Sequence, residues 1–266
     1  VNFINRAKGY VSRRLNPAPA VEPETILPAP ARPSPAVTRS GYAAYGEDIM
    51  AVAWFQHFGI ELTQLRYLDI GAAHPWQINN TYKLYEYGAS GVLVEPDPDQ
   101  AKALQLARPR DTVLNVGAAF DERRSGNLNR MTTSLFNSFS DEQADFVVRS
   151  SEGWQPEQRQ ELRERREIPL VPINELIAEH LGQAPDFLSI DAETLDVPIL
   201  LKLDMSRFKP WIVCMEAVTD RKLADDIWLP QGYVLSAFTP DNFMYMIDPF
   251  STAWHEFKAG SRRHPI

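Results

Sequence analysis

The stretch Arg66-Tyr67-Leu68-Asp69-Ile70-Gly71-Ala72-Ala73-His74-Pro75 decides how the chain is read. Tyr67, Leu68 and Ile70 are apolar and strand-prone, and Gly71 can take backbone angles closed to a residue with a Cβ. The stretch predicts a buried strand that stops in a glycine turn. A second apolar run, Gly91-Val92-Leu93-Val94, ends at Glu95-Pro96-Asp97, and residues 79–87 between the two predict a helix. Together they make a β-α-β unit. Such a unit suits a nucleotide-like ligand: Gly71 lets it approach the backbone, and the Glu95 carboxylate can accept hydrogen bonds from both ribose hydroxyls.

The dinucleotide fingerprint needs three glycines, to bring a helix N-terminus up to a pyrophosphate. Here Ala72, Ala73, His74 and Pro75 follow Gly71, so a pyrophosphate is poorly served. One glycine preceded by an acid, Asp69, suits S-adenosylmethionine better, because that cofactor has a ribose and an amino-acid tail but no phosphate. The plain alternative is a parallel strand that ends in glycine for packing alone.

Two further runs extend the pattern. Residues 111–119 predict a third strand ending in the small-residue turn Gly117-Ala118-Ala119, where an adenine can lie flat. Residues 186–193 predict a fourth strand ending in Asp191 and Glu193. With these on the page the chain resembles the FkbM-type methyltransferases, a branch of the S-adenosylmethionine-dependent class I enzymes. The matching pieces are Tyr45-Gly46-Glu47-Asp48, Asp69-Ile70-Gly71-Ala72, His74-Pro75, Asn80-Thr81 with Leu84-Tyr85, Gly91 to Pro98, and Ile190-Asp191-Ala192-Glu193. The resemblance spans residues 41–246. It implies a Rossmann-like α/β fold with a mostly parallel seven-stranded sheet and helices on both faces. It departs at Ser189, where the family usually has Lys, and at Thr194, where it usually has Gly.

Composition sets bounds. The chain has 266 residues, enough for one α/β domain with appendages. Net charge is −8 and the pI about 5.2, which argues against a broad basic face for nucleic acid. The single cysteine, Cys214, excludes an internal disulfide and fits a reducing, cytoplasmic setting. Residues 1–40 divide into a basic segment with Arg6, Lys8, Arg13 and Arg14, then a linker rich in proline that favours extended polyproline II. The basic segment reads as a loosely held terminus or as a dock for a partner or an anionic membrane surface. Residues 41–266 are read as the methyltransferase domain that the resemblance implies, with a homo-oligomer left open.

Within that domain the spacing predicts a helix from Glu47 to about Phe58, with Glu47 and Asp48 at its favourable N-terminus. Asn79 or Asn80 caps the next helix. Residues 155–167 read as a solvated helix with Glu161 and Arg165 one turn apart. Residues 170–173 read as an edge strand, because Pro172 lacks a ladder donor, and Asn174 is set to cap a helix through Leu181. The polar residues of 130–140 read as an ordinary loop. Residues 211–216, 232–235 and 243–247 complete seven strands.

The residues read above and the resemblance together place Glu47, Asp69, Gly71, Ala72, Asn80, Thr81, Glu95, Pro96, Asn115, Gly117 and Ala118 around S-adenosylmethionine. Strand-end geometry brings Asp191, Glu193 and His74 to the methyl group as candidate bases. Asp191 and Glu216 are candidate ligands for Mg²⁺, whose preference is for hard oxygens. The expected activity is O-methylation of a hydroxyl on a sugar, glycan or polyketide-type small molecule. The alternatives are a catalytically impaired binding or scaffold module and, behind it, a nicotinamide oxidoreductase.

Overall fold

The structure, a computed structural model, describes residues 41–217 and 220–251. The basic segment, the proline-rich linker and the docking role expected for residues 1–40 lie outside the described residues. Strand β1 (Arg66–Ile70) runs parallel to β2 (Ser90–Val94) on one side and to β7 (Phe187–Ile190) on the other. Strand β3 (Thr112–Leu114) continues beyond β2, and β8 (Ile212–Glu216) beyond β7, all in parallel. Strand β10 (Asn242–Ile247) then inserts antiparallel between β8 and β9 (Tyr233–Phe238). The order β3-β2-β1-β7-β8-β10-β9 is the seven-stranded, mostly parallel sheet expected. It grows outward in both directions from β1, which with right-handed crossovers puts helices on both faces.

The strands form where the sequence is continuously apolar. β7 and β8 are buried at every position, as a sheet covered on both faces requires. Helix α1 (Glu47–His57) opens the domain, and α2 (Tyr82–Glu86) links β1 to β2. Helix α3 (Pro98–Ala107) is started by Asp97, whose side chain accepts the N–H groups of Asp99 and Gln100, with Pro98 in the first turn.

A buried arginine ties these pieces together. Arg108, just past α3, is 0% exposed. It donates to Asp111 Oδ2 at 2.7 Å, Tyr67 Oη at 2.9 Å, Asn79 Oδ1 at 3.1 Å and Thr81 Oγ1 at 3.1 Å. Asp111 in turn accepts the Gly91 N–H and the Tyr67 hydroxyl. One cation therefore joins β1, β2, the start of β3 and the loop after β1.

Four sequence expectations are corrected. Residues 111–119 do not form one strand: β3 stops at Leu114, and β4 (Gly117–Ala119) belongs to a second sheet, in which β6 (Leu162–Pro172) is between β4 and β5 (Ser125–Met131). Between them the Asn115 side chain donates back to the carbonyls of Glu95 and Pro96, which turns the chain out of the first sheet. The charged stretch read as a helix is instead a short 3₁₀ turn, Pro156–Gln158, followed by strand β6 (Leu162–Pro172). Its ladder with β5 (Ser125–Met131) satisfies the backbone, so long-range pairing overrides local helix propensity. Pro172 does not mark an edge, because β6 is the central strand of the second sheet and the proline is only its last residue. Asn174 does not cap helix α5 (Ile173–His180); it lies in the first turn and binds Lys202 O and Asp204 N. Helices α4 (Asp141–Ser151), α6 (Asp196–Leu200) and α7 (Arg221–Trp228) complete the fold.

Arg108→Met should lower stability by about 3–5 kcal/mol, because it leaves Asp111 as a buried, uncompensated charge. Urea unfolding of the two proteins measures it; a loss under about 1 kcal/mol would show that the network is not what holds these strands together.

Candidate active site

The carboxyl ends of β1 and β7 meet where the strand order reverses, and a cleft opens there. It encloses about 770 Å³ of empty space, its open mouth included. Its inner wall is Ile70, Gly71, Ala73, Val94, Glu95, Pro96, Gly117 and Ala118. Asp191, Ala192, Glu193, Leu195 and Ile199 close one side. Ile78 and, from the insertion that carries the second sheet, Leu128, Ser134, Leu135, Asn137, Ser138 and Phe139 close the other.

Gly71 has φ +80°, and a Cβ there would lie 1.9 Å from the carbonyl oxygen of Asp191. The glycine is required first for the approach of the two strand ends to each other, before any ligand is considered. A valine at this position is therefore expected to disturb the fold as well as the cleft, whereas the approach of a ligand alone would have left the fold intact.

Glu95 is 6% exposed. Its Oε2 accepts the Ala73 N–H at 2.7 Å and its Oε1 the Asp97 N–H at 2.8 Å. The carboxyl group thus braces the turn after β1 against the end of β2. Burial pushes its pKa from the usual 4.5 up to about 8, with the like charges of Asp97 and Asp69 adding to the rise and the two backbone donors opposing it.

Asp191, Glu193 and Glu216 offer carboxylate oxygens that all lie within 4.8 Å of one another. Glu193 and Glu216 are buried, and Asp191 is half-buried. The backbone that aims Glu193 is unusual: its φ is +49°, and that of Thr194 is +83°. A β-branched residue in the left-handed region is strained. Thr194 is the position at which the resembled family usually has glycine, and the observed φ supplies a physical reason for that preference.

The other expected residues are placed as follows. Asp69 is buried behind the cleft, where it accepts the Thr81 hydroxyl at 2.7 Å and is also hydrogen-bonded by Ser189. Asn80 donates to the Ser189 hydroxyl at 3.3 Å. Ala72 is buried and donates to Val94 O. Asn115 holds the loop after β2, as described above. Glu47 is 0% exposed and accepts from Thr239, Asn242 and the Tyr45 N–H, away from the cleft-lining set. His74 is half-buried beside Trp76, and its Nδ1 accepts the Gln77 N–H at 3.0 Å and the Trp76 N–H at 3.3 Å. Burial lowers its pKa from 6.5 to about 4, so the ring is neutral near pH 7 and carries its proton on Nε2. The structure therefore brings Gly71, Glu95, Pro96, Gly117, Ala118, Asp191 and Glu193 into one cleft. Asp69, Asn80, Thr81 and Asn115 stand behind it as braces.

Sequence reading missed the outer wall from residues 134–139. The run Ser134, Asn137, Ser138 was its one signal, and a hydroxyl-rich loop is too common to single out.

The family of methyltransferase FkbM domains matches residues 69–229. The chain belongs to this family. It is an S-adenosylmethionine-dependent methyltransferase with the Rossmann-like class I fold. No curated protein matches it in sequence. Among solved structures it is similar to an O-methyltransferase from Bacillus cereus in complex with SAH, at 12% identity and a TM-score of 0.38, with 93% of this chain and 91% of that one covered. It is also similar to a precorrin-6y C5,15-methyltransferase from Geobacter metallireducens, at 12% identity and a TM-score of 0.36, with 81% and 91% covered. Likeness at this level says nothing about the acceptor.

Two outcomes follow from the site. Because the folded pKa of Glu95 lies above its unfolded value, the unfolded chain loses this proton first, and the wild type loses stability as pH rises from about 4.5 to about 8. Urea unfolding from pH 5 to pH 8 should show Glu95→Gln gaining on the wild type, by roughly 2–4 kcal/mol at pH 8; a difference that does not change with pH would refute the assignment. Thr194→Gly should stabilise the apoprotein by about 1 kcal/mol by releasing the left-handed strain, seen as a raised unfolding midpoint.

Proposed function

We propose that the FkbM-family domain methylates a hydroxyl oxygen of a sugar, glycan or polyketide-type small molecule. The observation that carries this reading is that Asp191 and Glu193 line the cleft that also holds Gly71 and Glu95, with the buried Glu216 carboxylate within 4.8 Å of theirs. A hydroxyl acceptor must lose a proton as its oxygen attacks, and these carboxylates are the groups on hand to take it. When bound, S-adenosylmethionine supplies an electrophilic methyl group on sulfur. The chain's own residues seat the two partners and exclude water. Glu95 accepts from the ribose, Gly117 and Ala118 lie against the adenine, and Asp191 or Glu193 accepts the acceptor's proton. His74 is outside the cleft-lining set and its Nδ1 already accepts two N–H groups, so the acceptor's proton is assigned to the carboxylates and not to this ring.

Size and charge support a small acceptor. The insertion walls one side of the cleft and acids stand on the other, which disfavours a polyanionic nucleic acid. The three clustered carboxylates also fit a hard divalent cation such as Mg²⁺, with Asp191 and Glu216 as ligands and Glu193 beside them. There the ion would hold an acceptor diol. Among the described residues no helix is long and apolar enough to cross a membrane. We place the enzyme in the cytoplasm from its single cysteine.

Calorimetry with S-adenosylmethionine and with NAD, then methyl transfer to a panel of sugars, glycans and polyketides, tests the reading. Binding of the first cofactor, transfer to a hydroxyl, and a loss of turnover of about a hundredfold or more in Asp191→Asn are expected. Full activity in EDTA would remove the metal, and cofactor binding without transfer to any acceptor would favour the scaffold.

A further inference from the structure

We propose that Arg130 is the positioning residue of the cofactor cleft: it clasps the insertion onto the carboxyl edge of the main sheet and so sets the affinity for the cofactor. The inference rests on the methyltransferase reading and goes beyond it, since that reading gives Arg130 no part.

Arg130 sits on β5, on a strand of the second sheet. Its Nε reaches Asp97 Oδ2 at 2.9 Å, its Nη2 reaches Asp99 Oδ2 at 2.6 Å, and its Nη1 reaches Glu164 Oε2 at 2.9 Å. Two of these acids follow β2 on the cofactor side, and the third is on the neighbouring strand of the insertion. The three pairs are not equal. The Asp97 side chain is 3% exposed, against 56% for Asp99 and 47% for Glu164. Solvent screens the outer two, so the Asp97 pair carries most of the clasp.

Asp97 links the clasp to the cleft. Its N–H donates to Glu95 Oε1, and its own carboxylate starts helix α3. A chain of contacts therefore runs from Arg130 through Asp97 and Glu95 to the Ala73 N–H in the glycine turn.

The insertion needs such a clasp. At its base, Ala118 and Val171 pack with the main core. Its outer half has a small core of its own, formed by Met131, Phe136, Ala144 and Val147. That half meets the cofactor side through polar contacts: Arg130, Asn137 Nδ2 to Asp97 Oδ2 at 2.8 Å, and Gln100 Nε2 to Ser134 Oγ at 3.0 Å. Residues 134–139 are also the outer wall of the cleft. The wall that covers a bound cofactor is thus held by an ionic fork.

The test is calorimetric binding of S-adenosylhomocysteine to the wild type, Arg130→Lys and Arg130→Gln, with unfolding midpoints measured alongside. Arg130→Gln should bind about tenfold or more weakly, and Arg130→Lys, which keeps the charge but not the fork, should fall between. Wild-type affinity in Arg130→Gln, whatever its midpoint, overturns the proposal and leaves Arg130 as a brace of the fold. Should Arg130→Gln not fold, hydrogen exchange on the wild type decides. S-adenosylhomocysteine should slow the amides of residues 131–139 together with those of residues 71–73. Slowing of the second group alone overturns the clasp. No binding to the wild type would instead count against the cofactor assignment itself.

Discussion

The buried guanidinium of Arg108 is the constraint on which the rest of the structure depends. A charge taken wholly out of water is tolerable only if its donors are met. Here they are met by Asp111, Tyr67, Asn79 and Thr81, which come from three places in the chain: the turn before β3, β1, and the loop after β1. Satisfying one cation therefore fixes the register of β1 against β2 and the path of the loop between them. Asn79, held by Arg108, donates its amide to the carbonyls of Ala72 and His74, and Thr81 passes its hydroxyl on to Asp69. The turn that carries Gly71 is thereby braced from behind, without using a group that faces the cleft.

From that brace the site follows by geometry. The sheet grows in both directions from β1, so the strand ends of β1 and β7 face a common crevice. Their approach is so close that only a residue without a Cβ fits between them, as the contact of Gly71 with the Asp191 carbonyl shows. Acids then gather where the backbone allows them. Glu95 and Asp97 stand on one side, and Asp191, Glu193 and Glu216 on the other. Such crowding is costly for stability, and at Glu193 and Thr194 the backbone is strained as well. At the end of β2 the charge of Asp97 is offset by one arginine from the insertion, Arg130.

Much of this was legible in the residues. Four central parallel strands, β1, β2, β7 and β8, are short apolar runs that end in Gly71, Glu95, Asp191 and Glu216, and an all-buried strand leaves that signature wherever it sits. The insertion was not legible. Residues 162–167 carry charge at five of six positions, and such a run has no hydrophobic period of its own to distinguish strand from helix. Pairing with residues 127–131, 31 to 40 positions back along the chain, settled it.

The sequence by itself determined the β-α-β core, its strand ends and the family, because burial and turn chemistry are written in local composition. Only the tertiary structure decided which polar residues meet. Arg108 reaches Tyr67, Arg130 reaches Asp97, and Thr81 reaches Asp69 across 41, 33 and 12 positions respectively. Partners of that kind are chosen by three-dimensional proximity and by the cost of leaving a buried charge unmet, and neither quantity has a period along the chain.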